Sequence, residues 1–235
     1  MVVDKVRAEL KKNIDKKYYK TSLGFFKEND VLKMHGVRYP VVRVIANKHF
    51  KESINKLSKK EVFKICEDLM NSRIQEEIVV AFEFAEKYNK DFLKDDLIVF
   101  KKWIEKYVVN WALCDDICSG PLGELLIKYP ELISETRKWH NSLNRWLKRA
   151  SIVSLIKTVQ KTKKVEDVYK VADLLLKDRD DLIQKATGWA LREAGKIDKK
   201  RLYVYVMKNK SKIGRTCLRY SIEKFDAKDR KKLMD

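Results

Sequence analysis

Glycine and proline are scarce in this chain, with seven Gly and three Pro in 235 residues. So few turn formers disfavour β-sandwiches and leave no Gly-rich loop to cradle a phosphate. No apolar run reaches the roughly 18 residues that a membrane span requires. The opening residues MVVDKVRAELKKN are amphipathic rather than signal-like, so neither a secretory leader nor a membrane is expected. The four cysteines, Cys66, Cys114, Cys118 and Cys217, form no CxxC pair. They read as reduced thiols of a cytosolic protein, in or near the core. Cys114 and Cys118 can share a helix face, but no His stands close in sequence to complete a zinc site. Neither a metal nor a small-molecule cofactor is expected. Alternating strand patterns are missing as well: YVYVM at 203–207 is short and follows a helix-like start.

Positive charge is what the chain has in excess. Lys and Arg outnumber Asp and Glu by 53 to 34, for a formal charge of +19. Attraction to a polyanion follows by default, the bland alternative being a Lys-rich proteome background. The charge is uneven: Arg137 to Lys164 holds nine Lys or Arg and no Asp or Glu. That points to a basic face. A 45% hydrophobic content suffices for a sizeable core.

Helical period runs through almost every segment. Ser58-Lys-Lys-Glu61 is a capping box that opens a helix with Val62, Ile65, Cys66, Leu69 and Met70 inward. Arg73 to Tyr88 repeats the pattern with Ile78, Val79, Phe82, Phe84 and Ala85. Pro40 and Pro130 suit the first turn of a helix, and Gly195 suits the residue that ends one. Ten to thirteen helices of 10 to 16 residues are expected. Their pairs recur about every 35 to 40 residues, which predicts an all-α chain: a curved α-solenoid of HEAT-like helix pairs with a concave basic face. An irregular helical bundle is the alternative. With no linker or low-complexity tract, residues 1–235 read as a single domain.

Three segments join Trp to charge. In NWALCDDI (110–117), Trp111 and Asp115 are four apart and share a helix face, with Asp116 beside them. In RWLKRASIV (145–153), Arg145 and Arg149 share a face, with Trp146 one turn before Arg149 and Lys148 between. In DDLIQKATGWALREAGK (180–196), Trp189 and Arg192 lie one turn apart, an indole and a cation that one partner can meet together. A Trp beside a charge is usually a half-buried core residue. Three such pairs at spacings suited to neighbouring repeats favour a shared role.

These segments, with GVRYPVVRVIA (36–46) and RTCLRYSIEKF (215–225), resemble the DNA alkylation repair family of HEAT-like DNA glycosylases, in the family's order and over nearly the whole chain. The likeness implies a helical solenoid that cradles duplex DNA and excises N3- or N7-alkylated purines. By that likeness Trp111 and Trp189 flank the damaged nucleotide and Asp115 is the catalytic carboxylate. Arg149 holds a nearby phosphate. Arg145, Lys148, Arg192, Phe26 and Arg43 are further DNA-contact candidates, and Arg215 and Arg219 match family positions that core ion pairs could equally explain. His35, His49 and His140 are isolated and not expected to act as bases. Two departures stand out. Phe26 takes the place of a cleft Tyr, which removes a hydroxyl, and the stretch from Asp116 to Gly123, read as a loop, is less hydrophobic than the family pattern.

A monomeric glycosylase acting on double-stranded DNA, alkylated or branched, in the cytoplasm at the nucleoid is the expected protein. A non-catalytic relative that binds branched or distorted DNA, and a scaffold for an acidic protein partner, are the alternatives.

Overall fold

The computed structural model describes residues 2–26 and 33–235, and among these every regular element is a helix. The chain divides into two compact units, Met1–Leu125 and Leu126–Asp235. The first is built from α1 (Val2–Lys12), α2 (Lys16–Leu23), α3 (Tyr39–Glu52), α4 (Lys59–Met70), α5 (Gln75–Glu86), α6 (Asp96–Tyr107) and α7 (Trp111–Ser119). Helix α8 (Pro121–Lys128) runs across the division. The second unit holds α9 (Ile133–Arg137), α10 (Arg145–Thr162), α11 (Glu166–Leu175), α12 (Asp181–Ile197), α13 (Lys199–Asn209), α14 (Arg215–Ser221) and α15 (Ala227–Met234).

Alternate helices stack on one another. In the first unit α1 packs on α3, α3 on α5 and α5 on α7, while α4 lies against α5 as its hairpin partner. In the second, α10 packs on α12 and α12 on α14, with α11 and α13 against α12. Helices α5, α10 and α12 each pack against a sequence neighbour and against the helix two positions on, the layering of an α-solenoid.

Local sequence accounts for the helix starts. Ser58 accepts from the Glu61 amide while Glu61 returns a bond to the Ser58 amide, so the capping box is complete. Asn110, Asn144 and Asp180 cap α7, α10 and α12 with a side-chain oxygen that accepts from first-turn amides. Pro40 stands in the first turn of α3. Pro130 opens a 3-10 turn ahead of α9. The core of the first unit includes buried Phe92, Phe100 and Trp103, against which half-buried Phe63 packs, the rings meeting edge-on or tilted at centroid distances of 5.2 to 6.5 Å. Burying each such ring contributes about 1.5–3 kcal/mol.

Three details depart from expectation. Fifteen α-helices occur among the described residues, because pieces as short as α9 and α14 escape a periodicity of 10 to 16 residues. Gly195 does not end its helix: α12 continues to Ile197, and a Cβ at 195 would come within 2.3 Å of Leu202 Cδ2. The glycine serves close packing of α12 on α13. The stretch after Asp115 is not a loop either, since α7 runs to Ser119 and breaks only at Gly120–Pro121. All four cysteines are buried and unbridged. No helix among the described residues is long and apolar enough to cross a membrane, and no group of three His, Cys, Asp or Glu there could hold a metal ion.

Candidate functional site

Helix α7 carries the centre of the site. Asn110 fixes its first turn by accepting from the Leu113 amide, and its own amide group donates to Gln75 on α5. Leu113, Cys114, Ile117 and Cys118 turn into the core. Trp111 and Asp115, four residues apart, are left on the other face at partial exposure. Both line a cavity of about 320 Å³ with Tyr18, Phe26, Tyr39 and Asp116. Phe26 stacks on Trp111, with ring centroids 5.8 Å apart and planes within 23°. An aromatic wall with carboxylates at its edge suits a flat cation.

The segment before α3 is tied down by one buried acid. Glu76, 1% exposed, accepts from the backbone amides of His35 at 2.9 Å, Gly36 at 2.7 Å and Val37 at 2.9 Å. Successive amides turned onto a carboxylate form an anion-binding nest. Gly36 has φ +88°, and a Cβ there would lie 2.7 Å from Tyr19 Cβ. This anchorage fixes where Tyr39 begins α3. The Tyr39 hydroxyl donates to Asp116 Oδ2 at 2.7 Å. A hydroxyl absent at Phe26 thus enters the same cavity from Tyr39. Tyr39 falls within the GVRYPVVRVIA segment beside Pro40, but nothing in that segment assigns it a role.

Asp116 also lines a second cavity of about 420 Å³, with Arg43, Glu83, Glu86 and Ser119 among others. Its side chain is 16% exposed and its Oδ1 lies 3.9 Å from Arg43 Nη2. Burial pushes the Asp116 carboxyl up to about 7; the Tyr39 bond and Arg43 pull it down, and Asp115 and Glu83 raise it further. Burial and the neighbouring Asp116 likewise hold the Tyr39 phenol well above its usual value. Arg43 is bound chiefly to Glu83, at 2.9 Å.

The candidates in the second unit gather where α10 meets the start of α12. Arg145 pairs with Asp180 at 2.5 Å and Lys148 with Asp178 at 2.9 Å. Arg149 is only 4% exposed, and its Nη1 donates to the Leu182 carbonyl at 2.5 Å. Its guanidinium braces the first turn of α12. Arg145, 53% exposed, is the more accessible cation. Trp189 is partly exposed on α12, whereas Arg192 pairs with Glu193 and Glu223. Trp103 and Trp139 are buried, so the three Trp singled out with charged neighbours are the partly exposed ones. His35, His49 and His140 line neither cavity; His49, for instance, meets Glu9 at 2.8 Å. Phe26, Trp111, Asp115 and Arg43 belong to the first unit, and Arg145, Lys148, Arg149, Trp189 and Arg192 to the second.

Stacked helices with a half-open indole–carboxylate cavity define an all-α protein of helical-repeat build. A sequence model of the family described as "DNA alkylation repair enzyme" matches residues 6–225, and the chain belongs to that family. A solved structure, the "predicted DNA alkylation repair enzyme from Enterococcus faecalis", has the same fold, with a TM-score of 0.78 at 16% identity. The match covers 92% of this chain and 98% of that one. No protein with a curated description matches.

Proposed function

We propose that this protein is a monofunctional glycosylase that excises cationic N3- or N7-alkylated purines from duplex DNA. The observation that carries the reading is the meeting of Phe26, Trp111 and Asp115 around one cavity. An alkylated purine departs readily, because leaving neutralises its charge, so acid catalysis is of little use. The enzyme must instead stabilise the oxocarbenium-like sugar, which a fixed carboxylate at Asp115 does. Asp115 can also orient the attacking water. Trp faces attract cations by roughly 0.5–2 kcal/mol, which favours the charged lesion over normal bases. Trp189 is the second indole that the family likeness assigns to the damaged nucleotide.

Arg145 and Lys148 would meet backbone phosphates through charge-assisted bonds, exchanging Asp180 and Asp178 for them. In this reading Arg149 acts by holding the helix that carries Trp189. Arg43 and Arg192 contact DNA only on release from their carboxylate partners. One family match running through both units supports treating residues 1–235 as a single functional domain. A monomer in the cytoplasm, associated with the nucleoid, completes the proposal.

Incubation with methylated duplex DNA should liberate 7-methylguanine or 3-methyladenine and leave abasic sites. If neither base is freed, the glycosylase reading fails. One observation favours a second reading, in which the protein binds branched or distorted DNA without cleaving it. Phe26 covers part of the Trp111 face that a lesion would use. That reading requires tighter binding of a four-way junction than of linear duplex, with steep salt dependence and no free base.

A further inference from the structure

The carboxyl group of Asp116 belongs to the same cavity wall as Asp115. It receives one neutral hydrogen bond, from Tyr39 on α3 at 2.7 Å. Among the described residues Arg43, on α3, stands 3.9 Å from its other oxygen and is engaged at closer range by Glu83. Acidic groups face it from two elements: Glu83 and Glu86 on α5 across the second cavity, and Asp115 on its own helix. Tyr18 on α2 shares the first cavity, and Glu76 acts on Tyr39 from α5. A shielded carboxyl amid other acids, with one neutral donor and a half-satisfied Arg, resists ionisation until a cation arrives.

The geometry points to Asp116, held by Tyr39, as a second anionic group of the cavity that ionises when a cationic ligand occupies it. Only the identity of the ligand, the positively charged lesion or the cationic sugar, rests on the glycosylase reading; the response of Asp116 to a cation does not. Asp116 then supplies a conditional charge beside Asp115. By linkage, a cation that favours the ionised form binds more weakly where the proton must first be expelled. The upward displacement of the Asp116 carboxyl to about 7 agrees with this and locates the pH window. Below that value cation binding releases a proton; above it Asp116 is already ionised and the gain levels off. Tyr39 is a positioning residue, since its hydrogen bond favours the ionised carboxylate and aims Oδ2.

The test compares two duplexes that differ in one charge. One carries a pyrrolidine abasic analogue, with a cationic ring nitrogen, and the other carries its neutral tetrahydrofuran counterpart. The affinity ratio between them cancels the general pH dependence of DNA binding. For the wild type this ratio should rise at least about threefold from pH 5.5 to 8, against a single-proton ceiling of about tenfold per pH unit. In Asp116→Asn the ratio should stay flat. In Tyr39→Phe the inflection should move to higher pH, because the bond that favours ionisation is gone. Carbon-13 spectra of Asp-labelled wild type and Tyr39→Phe give a readout that needs neither catalysis nor DNA. One carboxyl should titrate near neutrality and shift upward in the variant. A flat wild-type ratio, an unchanged slope in Asp116→Asn, or no carboxyl titrating near neutral pH overturns the assignment. Absence of base release alongside a pH-dependent ratio would instead sink the glycosylase reading and leave this one standing.

Discussion

Glu76 accepts a 2.7 Å hydrogen bond from the Gly36 amide, forty residues away in sequence, and two more from the amides on either side. One buried carboxylate thereby holds the backbone that delivers Tyr39 to the cavity. Replacing Glu76 by Gln removes the charge and turns an NH₂ toward amide donors. Hydrogen bonds to charged groups contribute roughly 1.5–3 kcal/mol, so Glu76→Gln should lose at least about 2 kcal/mol. Urea unfolding measures it, and a loss below about 0.5 kcal/mol would show that the nest does not anchor this segment.

Asp115 is expected to act on the transition state and hardly on ground-state binding. Asp115→Asn should slow base release from methylated duplex at least about a hundredfold while leaving DNA affinity within about twofold. Single-turnover release and a fluorescence-anisotropy titration separate the two. Equal losses in both would assign Asp115 to binding.

Asp116 makes a prediction about stability that is independent of DNA. Its carboxyl is raised in the folded state from an ordinary 3.8 to about 7, so folding takes up a proton between those values. The associated stability is fully present below about pH 4 and is lost as pH rises through about 7. Asp116→Asn lacks that loss. Its stability relative to the wild type should therefore climb from pH 4 to 7, by on the order of 1 kcal/mol per pH unit, and then level off. Parallel stability curves for the two proteins would contradict the buried, reluctant carboxyl.

Gly188 lies where α12 and α14 touch. A Cβ there would fall 2.5 Å from both the Cys217 carbonyl oxygen and Tyr220 Cβ, so one helix must move. Although Ala is the better helix former, Gly188→Ala should destabilise by about 1–3 kcal/mol through overpacking. A thermal midpoint that stays level or rises would place slack in that contact.

Much of the fold was legible in the chain because helices announce themselves locally. The capping box at Ser58, Pro40 at the start of α3 and the inward set Val62, Cys66, Leu69 and Met70 each follow from period and terminal chemistry. The pairing of Trp111 with Asp115 was equally readable, since four residues make one turn. Spacing within a helix says nothing about what crosses from another. Glu76 beneath Gly36, Tyr39 on Asp116 and Phe26 on Trp111 join different segments, and no local pattern marks them.

Arg149 and Gly195 show the same division from the other side. By itself the sequence determined an all-helical, basic chain and the helix faces on which its Trp, Arg and Asp residues lie. Only the tertiary structure decided that the Arg149 guanidinium meets the Leu182 carbonyl, that Gly195 makes room for Leu202, and that burial pushes the Asp116 carboxyl up to about 7. Periodicity is a property of neighbouring residues, whereas burial and ionisation depend on whichever distant groups the packed helices bring alongside.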